Sequence, residues 1–380
     1  MASAAASRFD HPRHTFFCDL KFTDVRLSMM KRKWKLQRTR LKKDEEKKKS
    51  FFPTEGLGFL WTNYRHIDFL SISKGTYVNH LEGVTALSVK SNLWDHVKDK
   101  EGVRVPYTRV VRDLSIDWPL VAKDYEEHCA SSSSGRSTWI VKPMGLSCGR
   151  GIEIVETLDA LKMALTPSGV AEGSGYKPMV VQKYIPDPCL LGGKKFDFRV
   201  YVSIVSLEPT LEVYMFKRPY ARLSSVDFTM DDISNKFIHL TNFSIQSMKS
   251  SEAQLNLKTD ENLSPPHPTV MWSTEDCVKH FGEAVWESVI MPQFREMSRK
   301  TIEAVVEKGC LTNYGRGFEM FGFDFMLNEQ MEVFLIEVNL DPDQSHSTKV
   351  TSKILPEAIE GLINIVLGDE RGGNSAWERL

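Results

Sequence analysis

Three side chains near the C-terminus have the types and spacing of a hard-cation site. In FEMFGFDFMLN (318–328), Phe321, Phe323, Phe325 and Leu327 share one strand face, and Asp324 lies opposite with Gly322 and Met326. In EVFLIEVN (332–339), Glu337 and Asn339 share a face with Val333 and Leu335, their Cα atoms about 7 Å apart, twice the strand rise. Antiparallel pairing through Asn328 to Met331 brings Asp324 within reach of Glu337. Two carboxylates and an amide oxygen then converge, a donor set that suits magnesium completed by phosphate oxygens and water. A cross-strand ion pair is the plainer reading of one such acid. Both acids stand among very apolar neighbours, however, and ionising both without a cation would be costly.

Two further segments supply cations. In 195–204, Phe196, Phe198, Val200, Val202 and Ile204 form a core face, while Lys195, Asp197 and Arg199 form the other. A half-buried strand with a solvated face has the same pattern. In WIVKPMGLSCGRGI, Lys142 ends a strand, and a loop with Gly145, Gly149 and Gly151 returns into the next. Glycine lets backbone N–H groups turn towards phosphate oxygens and the lysine adds a point charge. A simple β-hairpin would look alike in isolation. Taken together, the three segments imply an ATP site between two β layers.

The elements that must position these groups are mixed. TWIVKP (138–143), GIEIVE (151–156) and MVVQKYI (179–185) are short, β-branched and bounded by Gly or Pro. LDALKMAL (158–165) has helical spacing, and FDFRVYVSIVS (196–206) and LEVYMFKRPYARL (211–223) are strands. Residues 275–308 are helical, broken near Pro292, and residues 354–367 form an amphipathic helix. Residues 131–135 and 247–270 are loops by composition, and no repeat is present. Neither GxGxxG after a first strand nor GxxxxGK[ST] occurs.

The chain has 380 residues, 41% hydrophobic and 26% charged, with no membrane-length apolar run and no secretory leader pattern. Six scattered cysteines, without a CxxC pair, suit a reducing compartment. Net charge is -1, but Lys31–Lys49 holds eleven Lys and Arg against three acids, leaving 38 bases and 47 acids elsewhere. Such a strip fits a polyanionic partner or a merely solvated run. With Trp34 and Leu36 as its neighbouring apolar residues it makes a poor membrane helix.

The combination of NHLEGVTALSVKSNL (79–93), WIVKP…GRGI (139–152), VVQKYI (180–185), GGKKFDFRVYVSI (192–204), YARL (220–223), FIHLTN (237–242), FGFDFML (321–327) and LIEVNLDP (335–342) resembles the tubulin tyrosine ligase-like enzymes. These belong to the ATP-grasp ligases, and the likeness runs over about residues 55–365 in family order. It implies an α/β (α+β) ATP-grasp fold with ATP held between two β-rich layers. The implied division is a basic, poorly ordered extension (1–50), a small N-terminal α/β domain (51–90), a central domain (91–185), a C-terminal domain (186–368) and a tail (369–380).

The resemblance also implies roles. Lys195, Asp197, Arg199 and Arg222 would line the γ-phosphate and substrate carboxylate region as the catalytic set, Lys195 and Asp197 also touching nucleotide. Lys90, Lys142, Gly149, Arg150, Gly151 and Ile152 would contact the nucleotide, and Gln182, Lys183, Tyr184 and Ile185 would form the adenine hinge. His239, Thr241 and Asn242 would meet ribose and phosphates, and Asp324, Glu337 and Asn339 would bind magnesium. The implied chemistry phosphorylates an acceptor carboxylate from ATP and lets a free amino group attack the acylphosphate. No cysteine is needed, so Cys148 and Cys189 are loop residues. The resulting expectation is a monomeric cytoplasmic, cytoskeletal enzyme, at cilium or basal body, adding glutamate to the acidic tail of tubulin as a polyglutamylase. No nucleic acid or membrane is involved. A glycylase, a tyrosine ligase, a non-tubulin acceptor and a non-catalytic microtubule-binding protein are the alternatives. The apolar Met144, Leu146 and Cys148, and LDPDQSHS after Asn339, depart from the family pattern and leave the amino acid open.

Overall fold

The computed structural model describes residues 14–44, 49–132, 135–144, 149–166, 178–248, 271–369 and 376–380. Gly145, Leu146 and Cys148 lie outside them, as do residues 249–270, most of the loop expected over 247–270.

An N-terminal sheet takes β1 (Thr15–Cys18) and β2 (Lys35–Leu36); a hairpin of β3 (Lys42–Asp44) and β4 (Lys49–Phe51) follows, then β5 (Phe59–Trp61) and β6 (Tyr77–Val78) return to the sheet. β1 pairs in parallel with β2 and β5, and Arg316–Gly317 joins the far edge beside β6. The sequence division set residues 1–50 apart as a poorly ordered extension. Residues 15–36 instead form part of this sheet, with Phe16, Val25 and Met29 fully buried. Two short strands and a nine-residue helix among lysines give little periodic signal, because the partner that buries them is distant in sequence.

A second, antiparallel sheet runs β7 (Thr108–Val111), β10 (Met179–Lys183), β8 (Trp139–Pro143) and β9 (Glu153–Val155) in spatial order. Val111, Trp139, Val141 and Val181 pack under the helices Leu114–Ala130 and Leu158–Leu165. The alternate residues Ile140, Lys142 and Gln182 therefore face the opposite way.

The third sheet is built on the thirteen-residue β12 (Lys194–Ser206), with β11 (Leu190–Leu191) at its start. β13 (Glu212–Phe216) and β14 (Tyr220–Leu223) take successive halves of one β12 edge, so the single strand expected over 211–223 is two, parted at the Lys217–Pro219 corner. β15 (Met271–Trp272) adds to β14. β16 (Arg316–Gly317) lies in the N-terminal sheet; β17 (Glu319–Leu327) takes the other β12 edge and β18 (Val333–Asn339) pairs β17. β19 (Trp377–Arg379) borders β13, which brings residues placed in a C-terminal tail into the sheet.

Phe196, Phe198, Val200, Val202 and Ile204 pack with Phe321, Phe323 and Phe325 against the helix Met291–Val306. Gly282, at φ +85, makes the break, well before the one expected near Pro292; that proline lies within a helix continuous from Glu283, just after its π-helical turn Trp286–Ile290. On the opposite face, Tyr201, Phe216 and Met320 pack under the helix Lys349–Leu367, which Thr348 caps and Gly368 ends. That helix begins five residues before the expected start, since its capped first turn is polar. Only the first half of this face of β12, carrying Lys195, Asp197 and Arg199, is left to line a cavity.

Trp377 is 2% exposed, stacks near Phe216 and donates its indole N–H to the carbonyl of Ala358 at 2.8 Å. Trp377→Ala is expected to cost about 3–5 kcal/mol, as for large-to-small aromatic truncation in a core. Urea unfolding checks this; a loss below about 1 kcal/mol would return the last residues to the status of a tail.

Candidate active site

A cavity of about 490 Å³ lies between the inner face of the four-stranded sheet and the charged half-face of β12. Every site residue expected from the sequence lines it except Gly151.

Its floor is a charge ladder across three strands. Asp197 stands opposite Arg222 on β14, and Arg199 opposite Asp324 on β17. Arg222 donates Nε to Asp197 Oδ1 and Nη2 to Oδ2, both at 2.6 Å, and Nη2 also to Asp324 Oδ2 at 2.8 Å. Arg199 donates Nε to Asp324 Oδ1 at 2.5 Å and Nη2 to Oδ2 at 3.1 Å. The Thr241 hydroxyl donates to Asp197 at 2.6 Å. All four charged side chains are buried. Burial would lift the Asp324 carboxyl, but Arg199 and Arg222 override it and hold it at about 2. Gly322 leaves the room that Arg199 uses: a Cβ there would stand 3.0 Å from the Arg199 Cδ and Nε.

Glu337 pairs with Asp324 in register, as expected, but by a different route. The ladder shifts between Asp324 and Phe325, so Val333, Leu335 and then Val338 enter the core. Strict alternation would have kept Glu337 on the face of Val333 and Leu335. The bulge turns it to the cavity beside Asn339, a common use of bulges at functional sites. Lys90, at the start of the helix Lys90–Val97, reaches Glu337 Oε2 at 3.3 Å. Asn339 donates its amide to Asp324 at 3.0 Å and to Glu337 at 3.3 Å, which turns its amide oxygen away from both.

Two further cations, Lys142 on the facing sheet and Lys195 on the ladder's own face of β12, make no ion pair among the described residues. Lys142 donates to Gln182 Oε1 at 2.6 Å, and Gln182 donates to the Thr108 hydroxyl at 2.9 Å. Lys195 donates to the Tyr184 hydroxyl at 2.7 Å; that hydroxyl meets His239 Nδ1 at 2.8 Å, and His239 Nε2 meets the carbonyl of Asp232 at 3.0 Å. Burial pushes the Lys142 ammonium down to about 8. Burial, reinforced by Lys142, pushes Lys195 down to about 7. Burial likewise lowers the His239 imidazole. Lys183 is half-buried and donates to Ser137 at 2.5 Å, while Ile185 borders the cavity. At the mouth, Gly149, at φ +73, lets the loop close on the segment after His239; a Cβ there would meet Ile245 Cγ1 at 2.9 Å and Asn242 Oδ1 at 3.1 Å. Arg150 is exposed on the rim and Ile152 sits just inside. Cys189 is half-buried outside the cavity, and Met144 is half-buried too.

Sequence reasoning passed over Tyr220 and Thr108. Tyr220 shares the Arg222 face of β14, so period two from Arg222 points to it. Thr108 shows only once β7 is in register with β10, where it stands opposite Gln182.

Among the described residues no three His, Cys, Asp or Glu side chains cluster as a metal site. Glu337 borders the cavity and fits a cation that takes few protein ligands; Asn339, whose amide N–H groups donate to both acids, would have to turn its oxygen to join it, and Asp324 stands behind, held by two guanidinium groups.

A sequence model described as the tubulin-tyrosine ligase family matches residues 70–373. Tubulin monoglutamylase TTLL4 of Mus musculus is 29% identical over 317 residues, covering 78% of this chain and 24% of that protein. Tubulin glycylase 3D of Tetrahymena thermophila is 31% identical over 237 residues, 60% of this chain and 21% of that protein. Tubulin polyglutamylase TTLL5 of Mus musculus is 26% identical over 325 residues, 81% of this chain and 22% of that protein. The chain thus spans about a quarter of the length of these curated relatives.

Asp324→Asn strands two buried guanidinium groups and is expected to destabilise by about 3–5 kcal/mol. Glu337→Gln breaks one half-exposed pair and should cost under about 1 kcal/mol. Thermal melting of both variants checks the contrast; equal losses would place the two acids in equivalent surroundings.

Proposed function

Because the chain belongs to the tubulin-tyrosine ligase family, we propose that it is an ATP-dependent ligase that joins a free amino acid, glutamate first, to carboxylates of the acidic tubulin tail. It would act on the cytoskeleton, cilia and basal bodies included. The observation that carries the reading is a single cavity holding two partly discharged lysines, Lys142 on the facing sheet and Lys195 on β12 itself, together with a guanidinium pair fixed by Asp197 and Asp324. Polyphosphate supplies the negative charge that the lysines lack, and the guanidiniums, their Nε and Nη2 held by Asp197 and Asp324, would offer Nη1 donors to the acceptor carboxylate and to the phosphoryl oxygens in flight. Gln182 to Ile185 would edge the adenine, with Gly149 to Ile152 over the phosphates. His239, Thr241 and Asn242 would meet the ribose side.

Glu337 and Asn339, with Asp324 behind, would hold magnesium, which when bound neutralises phosphate charge and acts as a Lewis acid. Arg199 and Arg222 hold the acceptor carboxylate in line with the phosphoryl group, so that the phosphorylated acceptor forms within reach of the incoming amine. The amine displaces inorganic phosphate from the acylphosphate, and the proton it sheds leaves with that phosphate; Lys195, recharged beside the bound phosphates, supplies a point charge, with Tyr184 and His239 behind it as a hydrogen-bonded chain. No protein nucleophile enters the scheme. Glutamate is put first because both a monoglutamylase and a polyglutamylase stand among the similar proteins; the glycylase keeps glycine as the runner-up.

The two lysines make a signed pH prediction. Their pKa values lie below the ordinary lysine range in the free protein, and bound phosphate raises them, so the complex holds more protons than its parts. At pH 8, where the triphosphate is fully ionised, binding should draw in protons and affinity should fall as pH rises further. Titration calorimetry in two buffers of different ionisation enthalpy reads this uptake. Lys142→Met and Lys195→Met should each remove part of it; unchanged uptake in both would detach the lysines from the phosphates.

The activity is tested by incorporation of labelled glutamate, glycine and tyrosine into microtubules with ATP and magnesium. Glutamate label that vanishes in Glu337→Gln is the expected result. Label from glycine or tyrosine alone would replace the donor, and no label from protein that still melts higher with ATP and magnesium would overturn tubulin as the acceptor.

A further inference from the structure

The segment before residue 45 carries a surface that the ligase chemistry does not use. Leu20 is 79% exposed, and Leu27 and Met30 are 52% and 55% exposed. Leu27 and Met30 lie three apart on the helix Thr23–Lys31, hence on one face. The other face of that helix, with Val25 and Met29, is buried against the helix Lys349–Leu367. Leu36 and Leu41 continue the exposed apolar run at 45% and 44%. Lys33, Lys35, Arg38, Arg40, Lys42 and Lys43 are interleaved with them; all are exposed, and none makes an ion pair among the described residues. Elsewhere several surface cations are matched, Lys100 with Glu307, Arg218 with Glu275 and Glu357, Arg299 with Glu303, while those in no ion pair among the described residues, such as Lys74, Lys98 and Lys279, are scattered rather than gathered beside exposed leucines. Unmatched cations beside exposed leucines, on a chain whose remainder is acidic, mark a contact surface rather than a solvated face.

The surface is fastened to the cavity rim at two points. Asp24, in the first turn of the same helix, pairs with His346 at 2.8 Å, and the next residue, Ser347, lines the cavity. β4 packs on the turn Tyr64–His66, whose Tyr64 N–H donates at 3.1 Å to Asp341 in the cavity wall.

We propose that this surface docks a folded acidic polypeptide whose carboxylates are interspersed with apolar side chains, and so presents an acidic tail of that partner to the cavity. The proposal rests on the ligase reading for the identity of the partner as tubulin. The cations steer and orient the encounter, and the leucines and Met30 give residence that a bare polyanion would not find. Loading the surface places acceptor carboxylates at the mouth repeatedly, raising their local concentration.

The test is co-sedimentation with polymerised tubulin, with neither ATP nor amino acid present. One variant set is Lys33→Glu, Arg38→Glu, Arg40→Glu and Lys43→Glu together; the other is Leu27→Gln with Met30→Gln. All six are exposed, and thermal melting confirms that both sets fold. The charge set should lose at least about tenfold in affinity at low salt together with most of its salt dependence. The apolar set should lose about fivefold with its salt dependence intact. Wild-type affinity in both sets, or no sedimentation of the wild type at low salt, overturns the proposal. Tighter binding to phosphatidylserine vesicles than to tubulin, with the same losses, overturns it in favour of a lipid surface. Full wild-type affinity in the apolar set alone, with polyglutamate competing completely, overturns it in favour of a plain polyanion site. Labelling of a short glutamate-rich peptide is read on the same preparations. Wild type that sediments but labels nothing sinks the ligase reading and leaves the docking surface standing; normal labelling with unchanged sedimentation of both sets sinks the docking surface alone.

Discussion

The buried alternation of Asp197, Arg222, Asp324 and Arg199 is the constraint around which the rest is arranged. Each pairing joins neighbouring strands at directly opposed positions, so the four charges fix the register of β14, β12 and β17 together. A slip of one residue would drive Phe196 and Phe198 into the cavity and the charges into the core. Desolvating four ions is expensive, and an apolar set of equal volume would hold the sheet about as well. The return is specificity. The guanidinium groups are held before any substrate arrives, so no reorganisation is needed when charge develops beside them.

The ladder is neutral in itself, and surplus positive charge flanks it, from Lys195 on its own strand and from Lys142 across the cavity. Lys142 and Lys195 bond to Gln182 and Tyr184, neutral oxygens that satisfy a donor without cancelling a charge. A buried ammonium so placed sheds part of its proton population, as the depressed values of both lysines express. That is a poor arrangement for stability and a good one for a polyanion, which recovers the full charge on binding. Glu337 is the half-exposed acid of the group, with Lys90 at its Oε2 and the Asn339 amide at its Oε1.

The sequence made the site more legible than the fold. Period two alone sorted Lys195, Asp197 and Arg199 from the phenylalanines of β12, and Asp324 from those of β17, because one face of each strand is packed. The same rule misjudged β18, where a bulge carries no residue signature and moves Glu337 off the face of Leu335. The strand over 211–223 was read as one because its corner is short. Residues 15–36 and 377–379 were set aside because their strands are brief and their partners, β5 and β13, lie outside any local window. The links Lys142–Gln182–Thr108 and Lys195–Tyr184–His239 join residues already suspected, but only pairing geometry shows which touches which.

The N-terminal sheet enters the site through a second buried acid on β17. Glu319 is 1% exposed and bonds His80 Nδ1 at 3.0 Å; His80 Nε2 faces Asp341 at 3.3 Å. Burial alone would discharge the imidazole, yet Glu319 and Asp341 together raise it to about 10, so it stays cationic between two carboxylates. Asp341 is held at φ +50, a strained backbone for a residue other than glycine, and the Tyr64 N–H fixes its other oxygen. β17 therefore neutralises one acid with arginines from its own sheet and another with a histidine that follows β6 of the N-terminal sheet. The second pair locks the first turn of the loop that follows Asn339. A loop pinned in this way cannot be re-aimed by its own mobility. The side chains that Leu340, Asp341, Pro342, Asp343 and Ser347 present to this end of the cavity are therefore set on a pinned backbone, in the stretch where the sequence departs from the family pattern.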